Sequence, residues 1–262
     1  MDLQLQGKTA LITGGSKGIG KAIAAGLAAE GCHLHLAARN AEDLQGVATE
    51  LQAKYSVSVT VHPMDLSCGD NAIALVAACG DVDILVNNAG AIAAGSISDI
   101  DEATWRGGWD LKVYGFVNLA REMYRVMKAR GHGVVLNVIG IAGGEVSEFN
   151  YIAGTTGNAG LAAFTRAMGG GSPADNIRVL GINPGMTATE RLVSLMRQNA
   201  TNKGLDPDDW RQLTTTMPFG RLAEPEEVAD LSAFLVSDRA AYISGTVVTI
   251  DGGLSARGHL FG

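Results

Sequence analysis

Short runs of apolar and β-branched residues recur along the chain, each followed by a longer stretch whose apolar positions lie three and four apart. The runs are TALIT from Thr9, HLHLA from His33, VSVTVH from Val57, DILVNN from Asp83, GVVLNV from Gly133, IRVLGI from Ile177 and TVVTI from Thr246. Runs of that length predict strands, and stretches such as GKAIAAGLAAE and PEEVADLSAFLVS predict amphipathic helices. The second of these opens at Pro225 with two glutamates in its first turn, a favourable helix start. Strand and helix alternate throughout, which predicts a single doubly wound α/β domain over residues 1–262. It would have a parallel sheet of about seven strands and helices on both faces.

One segment breaks the alternation. From about Thr187 to Phe219 the chain is mixed polar and apolar (RLVSLMRQNA, then DDWRQLTTTMPF). Its expected place is over the carboxyl ends of the strands, as a substrate lid at residues 187–219. Leu192, Met196, Trp210, Met217 and Phe219 would roof an apolar pocket, and Arg191, Arg197 and Arg211 would meet an anionic substituent or line the solvated face.

Composition narrows the class. Of 262 residues 47% are hydrophobic and 18% charged, enough for one large core. The 35 glycines sit in clusters between apolar runs, as turns do. A net charge of −7 argues against a nucleic-acid partner. The N-terminal MDLQLQGKTALIT does not read as a signal peptide, and no window reaches the ~20 apolar residues that span a bilayer. Cys32, Cys68 and Cys79 show neither metal spacing nor a disulfide framework, so a cytoplasmic protein is expected. His33 and His35 alternate on one strand and share a face, but two ligands do not make a zinc site. They read as sheet-packing histidines, with no metal.

TGGSKGIG, from Thr13 to Gly20, directly follows the first strand and opens a helix. Gly14, Gly18 and Gly20 let the backbone approach a pyrophosphate, which then meets free amides at the positive helix end. NNAG ends the fourth strand, NPGMTAT follows the sixth, and GRLAEPEEVA and DGG come later in the same order. Together with Tyr151 these motifs resemble the short-chain dehydrogenase/reductase family over nearly the whole chain. The resemblance implies a Rossmann-type fold, a homotetramer, and hydride transfer between a nicotinamide dinucleotide and a small-molecule carbonyl or alcohol. It also implies a cofactor-facing set: Gly14, Ser16, Lys17, Gly18, Ile19 and Gly20 in the turn, and Asp65 and Leu66 beside the adenine. Asn88, Ala89 and Gly90 would lie near the ribose, and Tyr151, Pro184, Gly185, Thr187 and Thr189 at the nicotinamide end. Ala38 stands where an acidic residue would hold a free ribose diol, and Arg39 follows it. With Lys17 nearby this charge pattern favours NADP(H), with NAD(H) as the alternative.

Family members act through an asparagine, a serine, a tyrosine and a lysine four residues after the tyrosine. Here only Tyr151 matches. Gly140 takes the serine position, Thr155 the lysine position and Lys112 the asparagine position. Lys112, on a neighbouring helix, is expected to replace the missing cation, because a charge about 4 Å from a phenol is worth roughly 4 kcal/mol at an effective dielectric of 20. Ser147 borders the substrate as a stand-in hydroxyl, and Thr155 could donate to substrate or ribose. The expected function is an NADP(H)-dependent carbonyl reductase or alcohol dehydrogenase acting on an aromatic or alicyclic substrate. The alternative is a dinucleotide-binding sensor or scaffold with little turnover, which the losses at Gly140 and Thr155 support.

Overall fold

The computed structural model describes residues 1–257. Strands β1 (Thr9–Thr13), β2 (His33–Ala38), β3 (Val59–Pro63), β4 (Ile84–Asn87), β5 (Gly133–Val138), β6 (Ile177–Pro184) and β7 (Val247–Ile250) form one sheet in the order β3-β2-β1-β4-β5-β6-β7. Every pairing is parallel. The helices are α1 (Gly18–Ala29), α2 (Ala41–Lys54), α3 (Gly69–Cys79), α4 (Glu102–Trp109), α5 (Gly115–Arg130), α6 (Ile152–Gly171), α7 (Glu190–Asn202) and α8 (Pro225–Val236). This is the doubly wound Rossmann-type arrangement that the alternation predicts.

Each face of the sheet has its own apolar core. Ile12, Leu34, Leu36 and Val86 pack under Ile23 and Leu27 of α1, Leu44 of α2 and Val228 of α8. On the opposite face Leu11, Leu85 and Val135 meet Leu75 of α3 and Leu119 and Met123 of α5. Buried on both sides, these strands read as continuous apolar runs rather than alternating ones.

All seven predicted strands are present, with small shifts at their ends. β3 starts at Val59 rather than Val57, because the Val57 amide turns back to the Tyr55 carbonyl (2.9 Å). Between α4 and α5 the chain widens into a single π turn, Asp110–Tyr114, which no periodicity announces. β4 lies beside β1 in the sheet, so Asn88, just past the end of β4, comes to rest over the glycine turn. The switch point of the strand order, where doubly wound sheets bind ligands, lies between β1 and β4.

The 187–219 segment folds as α7, a 3₁₀ stretch at Pro207–Thr214 and a short turn at Pro218–Gly220. Its apolar residues do not all roof a pocket. Trp210 and Ala200 are buried together with Met196, Leu205 and Leu213 in a small core of their own. Arg211 stacks on Trp210 at 4.6 Å, and Arg197 pairs with Asp208 at 3.0 Å. Of the three arginines, only Arg191 borders the main cleft.

Candidate active site

At the carboxyl ends of β1, β4, β5 and β6 lies a cleft of about 560 Å³. Its first wall is the glycine turn. Gly14 and Gly18 have φ of +66° and +53°, values that suit glycine. A β-carbon on Gly20 would collide with the Gly14 carbonyl and the Asn88 amide. Asn88 ties the turn down, its Nδ2 donating to the carbonyls of Thr13 (3.0 Å) and Gly14 (3.4 Å). Thr13 completes the clamp, its Oγ1 accepting from the amides of Asn88 and Ala89 (2.9 and 3.0 Å).

This wall fits a dinucleotide pyrophosphate. α1 begins at Gly18 with an extended Lys17, no side-chain cap and no acid in its first turn, so its first amides are open to an anion. The cradle is a volume that a single methyl would fill. Such a group, once bound, supplies or accepts a hydride at its nicotinamide end.

The second wall holds the chemistry, and here the residues sit differently from the sequence expectation. Tyr151 precedes α6 as its N-cap, at φ −140° and ψ 39°. Its backbone is held by Gly95, whose amide donates to the Asn150 carbonyl (2.7 Å) and whose carbonyl accepts from Ile152 (3.4 Å). The Tyr151 ring lies over Gly154: a β-carbon there would fall within the ring. The phenol therefore occupies the space of a side chain rooted one turn further along the helix.

That shift relocates everything counted from it. The inward-facing residue one turn beyond Gly154 is Asn158, which is 2% exposed. Its Nδ2 lies 3.3 Å from where a β-carbon on Gly140 would stand. Thr155 does not reach the cleft. Its hydroxyl accepts from the Glu148 amide (3.3 Å) and donates to the Glu148 carbonyl (3.2 Å), stapling the loop before Tyr151. A role for Thr155 toward substrate or ribose is thus replaced by a structural one. Ser147 is exposed and lies outside the cleft lining. Sequence reasoning missed Asn158 because it counted from Tyr151 instead of from the glycine beneath its ring.

Gly140 is more than a serine without its hydroxyl. Its φ of +130° is one that other residues adopt only under strain. A side chain placed here would strain the backbone as well as add an atom.

Lys112 stands in the middle of the π turn, which rotates it toward the cleft, its stem against Gly90. Its ammonium donates to the Ile139 carbonyl at 2.6 Å, at the end of β5 and next to Gly140. The residue is half-buried while its charged end is enclosed, and this burial pulls the ammonium down to about 8. Lys112 lines the cleft, but its hydrogen bond goes to the Ile139 main chain rather than to the phenol, and the cation that acts on Tyr151 is Arg191. The π turn is fastened to α6 by Trp109, whose Nε1 donates to the Ala153 carbonyl (2.9 Å). Burial pushes the Tyr151 phenol up, and the Arg191 guanidinium at the start of α7 pulls it back. Sequence reasoning placed Arg191 against an anionic substituent or on the solvated face, not beside the phenol.

The remaining cofactor candidates divide. Lys17, Ile19, Gly90, Pro184, Gly185, Thr187 and Thr189 line the same cleft. Thr189 caps α7 by accepting from the Leu192 amide (3.4 Å), and Thr187 donates to the Gly185 carbonyl (3.1 Å). Ser16, Arg39, Asp65 and Leu66 lie outside that lining. Arg39 and Asp65 are exposed neighbours, and the guanidinium lowers the Asp65 carboxyl after its stronger bond from the Ser67 amide. Leu66 is buried, its carbonyl against Gly115.

Comparison with known proteins decides the family. A profile described as enoyl-(acyl carrier protein) reductase matches residues 14–255. The chain belongs to the short-chain dehydrogenase/reductase family. It is 32% identical over 255 residues to 2-keto-3-deoxy-L-fuconate dehydrogenase of Xanthomonas campestris, covering 96% of this chain and 81% of that one. L-Sorbose reductase from Gluconobacter frateurii, solved with NADPH and L-sorbose, superposes with a TM-score of 0.92 at 34% identity, covering 98% of this chain and all of the other. A 7α-hydroxysteroid dehydrogenase solved with NADH gives 0.85 at 30% identity and covers 96% of both chains. These relatives are dehydrogenases and reductases, and the chain is an NAD(P)-dependent oxidoreductase of this family. Among the described residues no helix is long and apolar enough to cross a membrane.

Proposed function

We propose that the protein is a reductase that takes a hydride from NADPH to a carbonyl, with Tyr151 giving the proton. The observation that carries this reading is the Tyr151 ring set over Gly154 in the same cleft as the glycine turn. The carbonyl carbon receives the hydride while the carbonyl oxygen takes the Tyr151 proton, and solvent then restores the phenol.

Direction follows from the phenol's surroundings. Burial raises Tyr151, so at pH 7 it is a proton donor and a poor base, which favours reduction over alcohol oxidation. The transient phenolate needs positive charge, and Lys112 and Arg191 border the cleft to supply it. No side-chain hydroxyl exists at position 140 to hold the substrate oxygen, so orientation falls to the phenol and the lid. Leu192 and Met186 contribute apolar surface to the cleft, in keeping with an aromatic or alicyclic carbonyl. Segment 187–219 acts as the lid, and the working assembly is a homotetramer in the cytoplasm.

Following NADPH absorbance with a panel of cyclic and aromatic ketones and aldehydes tests this directly. Tyr151→Phe should bind NADPH as wild type does and lose roughly 10²–10⁴ in turnover. Equal turnover in the two proteins would remove Tyr151 from the mechanism. Binding without any turnover across the panel would leave a dinucleotide-binding protein.

A further inference from the structure

Far from the cleft, the sequence pattern pairs His35 with His33 along one strand, but the fold gives each a different partner. His33 Nδ1 accepts from the Ser58 amide at 3.1 Å. His35 reaches across to β3, where His62 sits one step along the ladder on the same face (Ala37 opposes His62). His35 Nδ1 and His62 Nε2 are 2.8 Å apart, with ring centroids 5.1 Å apart and planes 18° apart, so the rings meet edge to edge. Cys79, the last residue of α3, brings its Sγ to 3.7 Å from the same His62 Nε2. One ligand atom from each of the three lies within 4.8 Å of the others.

We infer that His35, His62 and Cys79 form a binding site for a thiophilic divalent cation of the zinc class, clamping β2, β3 and α3 together at the sheet edge. The donor set, two imidazoles and a thiolate, is one that zinc and cobalt accept. Tetrahedral coordination at ordinary bond lengths separates two nitrogen ligands by about 3.3 Å and a nitrogen and a sulfur by about 3.6 Å. The spacing of Cys79 Sγ from His62 Nε2 already fits, and the two rings need to turn so that their facing nitrogens separate by about half an ångström and aim at one point.

Cys79 is 7% exposed and His62 8%, and Cys79 packs beside Ala72, Val76 and Val82, so both ligand atoms are shielded from bulk solvent. Coordination replaces the S–H bond with a sulfur–metal bond, and that proton passes to the buffer. The one proton the two rings share moves to the far nitrogen of one ring, which frees both facing lone pairs. His35 is half-buried, which leaves a path from solvent for the cation and for a water as fourth ligand.

The test needs no turnover and is independent of the reductase reading. The full chain, stripped by chelation, is titrated with Co²⁺. One equivalent per chain should bind with a near-ultraviolet thiolate-to-cobalt band and visible bands of tetrahedral intensity, and Zn²⁺ should displace it. Cys79→Ser should lose the near-ultraviolet band, and His62→Gln should weaken binding at least tenfold. Cys68→Ser, at an exposed cysteine, should behave as wild type. NADPH binding, measured in every variant, reports that each is folded. Zn²⁺ should raise the Tm of wild type and leave Cys79→Ser unmoved. Sub-stoichiometric binding by wild type, or a thiolate band that survives Cys79→Ser, overturns the site.

Discussion

The two walls of the cleft are held in different ways. The glycine-turn wall is set by the backbone: Gly20 lies against the Gly14 carbonyl, and the short Asn88 and Thr13 side chains bond to main-chain groups to tie one strand end to the next. The Tyr151 wall is set by the far ends of side chains arriving from three places, a loop, a π turn and the start of α7. Geometry made of backbone fixes residue types at fixed spacing, because a methyl in the wrong place closes the cradle. Geometry made of side-chain ends can be supplied from a different root so long as the same space is filled. Tyr151 over Gly154 is such a case, and Lys112 bound beside Gly140 is another.

Breaking the backbone wall should have the largest effect. In Gly20→Val the β-carbon meets a carbonyl that cannot move without unseating Asn88. NADPH binding, followed by fluorescence titration, should fall by more than about 100-fold, or roughly 3 kcal/mol. Tyr151→Phe breaks the other wall and should leave that titration unchanged. If Gly20→Val binds normally, the distinction between the walls fails.

Lys112 sharpens the contrast, since a side chain that serves chemistry can oppose stability. Its ammonium is pulled to about 8 in the fold against an ordinary 10.5. A lowered lysine means that the unfolded chain binds more protons between those values, so its contribution to stability rises with pH from about 8 to 10.5. Below pH 8 the full cost of burying the charge is present. That cost is about 1–3 kcal/mol, with the upper figure discounted for solvent reaching the half-buried stem. Lys112→Met should therefore raise the Tm at pH 7 while lowering carbonyl reduction about ten- to a hundredfold. Wild-type reduction should decline as pH rises through about 8, and the variant should be flat there. A variant that is both less stable and unchanged in its pH profile would make Lys112 a structural residue.

The same contrast explains what was legible in the sequence. Seven strands and the glycine turn follow from apolar runs and glycine spacing, which are backbone requirements. The seat of Tyr151 was not legible, because helix counting assumes the phenol belongs to the helix it covers. Asn158 was hidden for the same reason, and Thr155 was misread. The π turn that aims Lys112 has no periodic signature, since it is one widened turn between two ordinary helices. His62 and Cys79 were invisible as partners of His35 because β2, β3 and α3 meet only in three dimensions.

Gly140 offers a smaller but sharper probe. If its loss of a hydroxyl were a simple deletion, Gly140→Ser would restore activity. At φ +130° a serine is strained by about 1–3 kcal/mol, and its β-carbon crowds Asn158 Nδ2. The variant should melt lower and reduce no faster. A faster, equally stable Gly140→Ser would mean that position 140 accepts a side chain without strain.

The least effect is expected where the first wall gives way to side chains, at the ribose end. Lys17 is committed to Asp43, 2.8 Å from its carboxylate, which raises the lysine and occupies its charge. Arg39 is exposed and forms no ion pair among the described residues. A 2′-phosphate would then be read by Arg39 first, at about 1–2 kcal/mol for a charge-assisted contact in open solvent. Arg39→Ala should weaken NADPH binding about tenfold and leave NADH nearly unchanged. Asp43→Asn, by freeing Lys17, should strengthen NADPH binding a few-fold. The ratio of the two dissociation constants is the measurement. If Arg39→Ala weakens both dinucleotides alike, the arginine does not read the phosphate. The preference for NADPH would then lose its remaining cation, because Lys17 is already held by a carboxylate.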